Sequence, residues 1–227
     1  MNKFALVTGS SSGLGLAISN YLLDDGFIVI GASRSGTDIV HGRFIDVLCD
    51  LRKEKDVENL FEIVSSNTDG LSLVVSNAGV CSIDPIEETS SKDFSSQIET
   101  NILGTFHLFK HLSSHLIDDE SHIVSISSIA AFHGYPNTSG YCASKFGLRG
   151  LIESCRNEWK EMGVRFSTLS PGAIDTPLWD KLEVNWERDK MLSVDDFLHV
   201  FEMVVSSPRT IQFPELIFLH KDGVFVK

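Results

Sequence analysis

The sequence predicts a doubly wound α/β fold built on a mostly parallel, seven-stranded sheet. Two observations carry this. Short apolar runs that end in small or polar residues alternate with longer segments of helical period, the pattern of a parallel sheet covered on both faces. A glycine-rich turn also stands between the first such run and the first helical segment. With 227 residues, 42% of them hydrophobic, the chain can bury one full core but is too short for two comfortable domains. One domain spanning 1–227 is expected, with 177–192 as a substrate lid.

Taken in order, the strands are expected at Lys3 to Thr8, Phe27 to Ala32, Arg43 to Val47, Leu71 to Ser76, His122 to Ser127, Val164 to Leu169 and Leu216 to Leu219. Helices fall between them at Gly13 to Asp24, Lys55 to Ser65, Lys92 to Leu116, Ser139 to Met162 and Val194 to Val205. The last begins Ser193-Val194-Asp195-Asp196, an N-cap followed by acids in the first turn. Strands joined this way imply right-handed crossovers, and ligands then bind beyond the carboxyl ends of the strands.

Charge and composition exclude several classes of partner. A formal net charge of -12, without any block of Lys or Arg, repels phosphate backbones, so nucleic acid is not expected. No run approaches the ~20 apolar residues of a membrane span. Phe4-Ala5-Leu6-Val7 follows Met1 too closely and too briefly for a signal peptide. Cys49, Cys81, Cys142 and Cys155 show no CxxC spacing, which suits a reducing compartment. A cytoplasmic protein is expected. His107, His111 and His115 recur at four-residue spacing, but eight helical residues advance the axis by about 12 Å, so all three cannot hold one ion and no metal is expected.

The turn after the first strand reads Thr8-Gly9-Ser10-Ser11-Ser12-Gly13-Leu14-Gly15. Glycines at 9, 13 and 15 permit a tight turn, close backbone approach to a pyrophosphate and close packing of helix on strand, while the helix N-terminus attracts the anion. No Gly-Lys-Ser/Thr follows, so a dinucleotide fits better than a nucleoside triphosphate. Gly9, Ser11, Ser12, Gly13, Leu14 and Gly15 are the candidate cofactor residues of this turn.

From this TGxxxGxG turn onward the sequence resembles the short-chain dehydrogenase/reductase family. The resemblance continues through Asn77-Ala78-Gly79, Asn101, Ser128, Tyr141 with Lys145, and Pro171-Gly172, covering roughly residues 3 to 176. It implies a Rossmann fold, a nicotinamide cofactor, and hydride transfer between that cofactor and a small carbonyl or alcohol substrate. In the chemistry it implies, Tyr141 gives a proton to the carbonyl oxygen, Lys145 holds the nicotinamide ribose, and Asn101 positions a water that links the lysine to solvent. Tyr141 and Lys145 stand four apart on a helical segment and so share a face. A nearby ammonium favours an ionised phenol.

Of the three serines closing the fifth strand, Ser125 and Ser127 share one face, whereas Ser128 lies just past the strand's carboxyl end. The family's serine stands thirteen positions before its tyrosine, and 141 minus 128 is 13. Ser128 is therefore chosen to bind the substrate oxygen, with Ser127 as the alternative. Tyr135 has Ser139 rather than a lysine four residues on, so it is read as a pocket wall.

The second strand leads into Ser33-Arg34-Ser35, with no acid to accept ribose hydroxyls and an arginine suited to an extra phosphate. NADP is the expected cofactor and NAD the alternative. Asp50 and Leu51 resemble the family's adenine contacts, Asn77, Ala78 and Gly79 its ribose support, and Pro171, Gly172, Ile174 and Thr176 the segment that holds the carboxamide. Trp179, with Leu178, Leu182 and Trp186, is expected on the substrate side, and Phe132 with Tyr135 on the opposite wall. The helices around 92–116 and 139–162 carry more apolar surface than one sheet face can cover. Resemblance to the family implies a homodimer or homotetramer paired through them, with the three histidines near that interface. The alternative to an enzyme is a non-catalytic NADP-binding redox sensor on the same fold.

Overall fold

The computed structural model describes residues 3–182 and 187–223. Seven strands form one sheet in the order β3-β2-β1-β4-β5-β6-β7: β1 (Phe4–Thr8), β2 (Ile28–Ser33), β3 (Phe44–Leu48), β4 (Leu73–Ser76), β5 (His122–Ile126), β6 (Arg165–Pro171) and β7 (Leu216–Phe218). Every pairing is parallel. The order reverses between β1 and β4, and a crevice opens there above their carboxyl ends.

Helices α1 (Gly13–Asp24), α2 (Glu54–Asn67), α3 (Ser91–Ile98), α4 (Gly104–Leu112), α5 (Ser139–Glu158) and α6 (Val194–Val205) cover both faces. Alternation along β1 sends Leu6 to one core, with Leu60, Phe61, Leu108 and Phe166, and sends Ala5 and Val7 to the other, with Ile18, Leu22, Phe197 and Phe201. Ser193 caps α6 as its sequence predicts, in a reciprocal capping box with Asp196. Among the described residues no helix is long and apolar enough to cross a membrane.

The expected helix over 92–116 is not one regular helix. It runs as α3, a π-helical turn at Glu99–Leu103, α4, and a 3-10 turn at Ser113–His115. The π turn places Asn101 at its centre, where the Asn101 amide grips the main chain of Val80. The 139–162 segment likewise closes in a 3-10 turn at Lys160–Met162.

Each of the three histidines finds a partner within the chain. His107 is buried with Nδ1 2.9 Å from the Leu51 carbonyl, His111 lies 3.2 Å from Glu54, and His115 reaches Ser65 at 2.8 Å. His111 and His115 also pack on the Phe61 ring of α2. Leu103, Phe106 and Phe146 stay exposed instead. The i, i+4 spacing that aligned the histidines also aligned them with α2, a neighbour in the same chain.

Candidate active site

The site begins with Thr8, which closes β1 and ties it to β4. Its hydroxyl donates to the Val75 carbonyl (3.3 Å) and accepts from the amides of Asn77 (3.0 Å) and Ala78 (3.1 Å). Asn77 returns its own amide to the Thr8 carbonyl at 2.9 Å. These bonds hold the Asn77-Ala78-Gly79 segment against the glycine turn. Gly9 has φ of 71° and Gly13 of 52°, so the turn uses the left-handed backbone that glycine adopts without strain. A Cβ on Gly15 would stand 2.1 Å from the Gly9 carbonyl oxygen. Gly15 therefore lies beneath the turn and lets it close, while Gly9, Ser11, Ser12, Gly13 and Leu14 form its surface. Ser12 enters α1 without a side-chain cap, leaving the helix's first amides turned toward the cleft.

The turn opens into a cleft of about 1000 Å³. Its lining brings together Ser33, Arg34, Asp50, Leu51, Asn77, Ala78, Gly79, Ser128, Tyr135, Tyr141, Lys145, Pro171, Gly172, Ile174, Thr176 and Trp179, elements distant in sequence that meet at the carboxyl edge of the sheet. Arg34 is exposed at one end, and the hydroxyls of Ser33 and Thr100 are buried there with no hydrogen-bond partner among the described residues. The Asp50 carboxylate is held by Arg52 through contacts of 2.9 Å to Oδ1 and 2.6 Å to Oδ2, and that hydrogen bonding keeps its carboxyl below the usual range. The glycine cradle, open helix end, buried unpaired hydroxyls and exposed arginine fit a phosphorylated dinucleotide.

At the other end, Tyr141 and Lys145 project from the first turns of α5, with Lys145 Nζ 5.6 Å from the Tyr141 ring centroid. Lys145 is 5% exposed and donates to the Ile126 carbonyl at 3.3 Å. Burial lowers its ammonium to about 8. Burial also pushes the Tyr141 phenol well above its usual value, against the influence of the Ser128 hydroxyl, which pulls it down. Desolvation thus opposes the phenol ionisation that a neighbouring ammonium favours. Ser128 caps a 3-10 turn at Ile129–Ala131 by accepting from the Ala130 amide (3.1 Å), which fixes its side chain beside Tyr141. Ser127 also reaches the cleft but is 5% exposed.

Asn101 is 1% exposed and does not line the cleft. Its Oδ1 accepts from Val80 N at 2.9 Å, and both protons of its Nδ2 are engaged, by the Val80 carbonyl (2.9 Å) and Ser144 Oγ (2.8 Å). The side chain is a clamp on the loop after β4, so any bond from this residue to a water must come from elsewhere than the amide protons. Phe132 is not a pocket wall: it lies under Arg149, 4.4 Å from guanidinium to ring centroid, and Arg149 in turn meets Glu215 at 3.4 Å. Trp179 lines the cleft with Leu178 and Leu182, its indole donating to the Ile174 carbonyl at 2.7 Å, whereas Trp186 lies outside the described residues. Sequence reasoning missed the floor formed by Val80, Cys81, Ser82 and Ile83, which follows directly on Asn77-Ala78-Gly79, and missed Gln97, one helical turn before Asn101.

Fold and cleft together define an α/β protein with a dinucleotide-type site at the carboxyl edge of its sheet. A family model described as short chain dehydrogenase matches residues 3–186, and the chain belongs to that family. It is 30% identical over 208 residues to a 3-amino-tetrahydro-pyrrolizinone reductase of Xenorhabdus hominickii, covering 88% of this chain and 71% of the relative. It is 28% identical to a sepiapterin reductase of Chlorobaculum tepidum, covering 93% of each. An alcohol dehydrogenase of the archaeon Thermococcus sibiricus, solved in complex with 5-hydroxy-NADP, superposes with a TM-score of 0.88 at 25% identity, covering 97% of each chain.

Proposed function

We propose that this chain is an NADP(H)-linked carbonyl reductase or alcohol dehydrogenase with Tyr141 as its general acid/base. One observation carries the reading: Tyr141, Ser128 and buried Lys145, whose Nζ stands 5.6 Å from the Tyr141 ring centroid, share a single cleft with the glycine turn and Arg34. The names of the similar reductases and the 5-hydroxy-NADP in the similar alcohol dehydrogenase support it.

The glycine turn and the α1 N-terminus would hold the pyrophosphate, Ser33 and Arg34 the ribose phosphate, Asp50 and Leu51 the adenine, Asn77, Ala78 and Gly79 its ribose side, and Pro171, Gly172, Ile174 and Thr176 the carboxamide. When bound, the cofactor supplies or accepts the hydride. Ser128 holds the substrate oxygen by a hydrogen bond. Tyr141 gives its phenolic proton to that oxygen in reduction and takes it back in oxidation. A phenol raised by burial stays protonated at neutral pH, so the resting side chain is set for reduction. Lys145 holds the nicotinamide ribose and sits beside the phenol it must help recharge. Asn101 keeps the loop at Val80 in place behind them. Segment 177–192, of which 183–186 lie outside the described residues, would act as the substrate lid, and the exposed Leu103, Phe106 and Phe146 would pair two chains as a homodimer or within a homotetramer.

The test is a panel of ketones, aldehydes and alcohols offered with NADPH and with NADH, followed at the nicotinamide absorbance band. Turnover with NADPH is expected. Tight cofactor binding without turnover across the panel would favour a binding-only sensor.

A further inference from the structure

Gln97 is the one buried residue of α3, at 3% exposure, and an amide buried there must find partners. It finds them on Ser82. Gln97 Oε1 accepts from Ser82 N at 3.1 Å, and Nε2 donates to Ser82 Oγ at 2.8 Å and to the Asp93 carbonyl at 3.4 Å. The amide cannot be flipped, because Ser82 N can only donate and so requires the oxygen opposite it. One helical turn later Asn101 grips Val80 in the same manner. Two amides at i and i+4 thus hold alternate residues of the cleft floor.

The fixed amide has a consequence for Ser82, which lines the cleft. Its oxygen accepts from Nε2, and no acceptor among the described residues takes its proton. The hydroxyl is therefore left as a donor. Among the described residues of the cleft the charged side chains are Arg34, Asp50 and Lys145, so the floor residues Val80, Cys81, Ser82 and Ile83 present no charged side chain of their own. A neutral hydroxyl donor of this kind pairs with a neutral carbonyl oxygen.

We propose that Gln97 is a positioning residue that sets the Ser82 hydroxyl as a hydrogen-bond donor to a second oxygen of a neutral carbonyl substrate. The proposal rests on the reductase reading above. It predicts that the enzyme discriminates between ketones by an oxygen that does not react, and that this discrimination is set one residue away from the substrate.

The experiment compares kcat/KM for ethyl 3-oxobutanoate and 2-heptanone with NADPH, in the wild type and in Gln97→Glu, Gln97→Met and Ser82→Ala, with thermal midpoints and NADPH affinity measured alongside. Gln97→Glu keeps an oxygen for Ser82 N but turns the other contact into an acceptor, which draws the Ser82 proton away from the cleft. The ratio of the two efficiencies should fall about five- to tenfold in all three variants, the loss expected when one neutral hydrogen bond is removed from a buried site. Because the wild-type ratio is the reference, differences in intrinsic ketone reactivity cancel. A ratio unchanged within twofold in Gln97→Glu and Ser82→Ala overturns the proposal, as does an equal loss on both ketones, which is what a merely structural role would give. If the wild type binds NADPH but turns over neither ketone nor any member of the wider panel, the reductase reading falls and takes this proposal with it; turnover with an unchanged ratio removes the proposal alone.

Discussion

Replacing Lys145 with Met should stabilise the protein while abolishing turnover. Desolvation carries the Lys145 ammonium from 10.5 down to about 8. At about 1.4 kcal/mol per pKa unit, a fall of that size means burial of the charge costs on the order of 3 kcal/mol at neutral pH. Met fills similar volume without the charge. It also withdraws the donor from the Ile126 carbonyl, 3.3 Å away, which takes back about 1 kcal/mol. The net gain is roughly 2 kcal/mol, or about 4 to 8 °C in Tm for a chain of this size. The pH dependence supplies a second check. Because the folded pKa is the lower one, the unfolded chain binds more protons between about 8 and 10.5, so wild-type stability rises through that window and its gap to the variant closes. Scanning calorimetry at pH 7 and pH 10 reads both effects. A Met variant less stable than wild type at pH 7, or a gap that does not narrow by pH 10, would refute the reasoning.

Other outcomes follow from the same geometry. Because burial keeps the Tyr141 phenol protonated, carbonyl reduction should be nearly level from pH 6 to 8, while alcohol oxidation, which needs the ionised phenol, should climb toward alkaline pH; steady-state rates in both directions decide, and an oxidation optimum below pH 7 would count against it. Arg34→Ala should weaken NADPH by roughly 10- to 150-fold and leave NADH nearly unchanged, the range expected on loss of one charge-assisted phosphate contact; equal preference before and after the change removes Arg34 from the site. Light scattering at pH 8 should report a dimer or tetramer. With His107, His111 and His115 turned toward α2 and Leu51, the mass should not fall on acidification to pH 5.5 through those histidines.

Sequence reading reached furthest where a local motif and its flanking elements agreed. The turn from Gly9 to Gly15 was legible because strand, glycine spacing and helix are contiguous, and β1 and α1 lie where the pattern placed them. Tyr141 and Lys145 share a helix face, which spacing alone decides. The cleft floor was not legible, since Gln97 and Asn101 act on residues 15 and 21 positions away, and no local periodicity reports which loop a buried amide will find. The π turn at Glu99–Leu103 was hidden for the same reason. Histidine spacing gave a face but not its neighbour. Phe132 shows how an aromatic near the catalytic strand can be claimed by a distant cation, Arg149, rather than by the pocket. The balance of forces on Tyr141 was also beyond the sequence, because it depends on how deeply the phenol is buried.

The proton-transfer role of Tyr141 is tested most directly by following NADPH absorbance in the wild type, Tyr141→Phe and Tyr135→Phe with a ketone that the wild type reduces, together with cofactor titrations. Tyr141→Phe keeps the ring and removes only the exchanging oxygen, so NADPH affinity should stay within about threefold while the rate falls by roughly 10² to 10⁴, the contribution expected of a positioned general acid. Tyr135→Phe, altered in a wall of the same cleft, should lose far less. Near-wild-type turnover in Tyr141→Phe, with the loss appearing instead in Tyr135→Phe, would contradict the assignment.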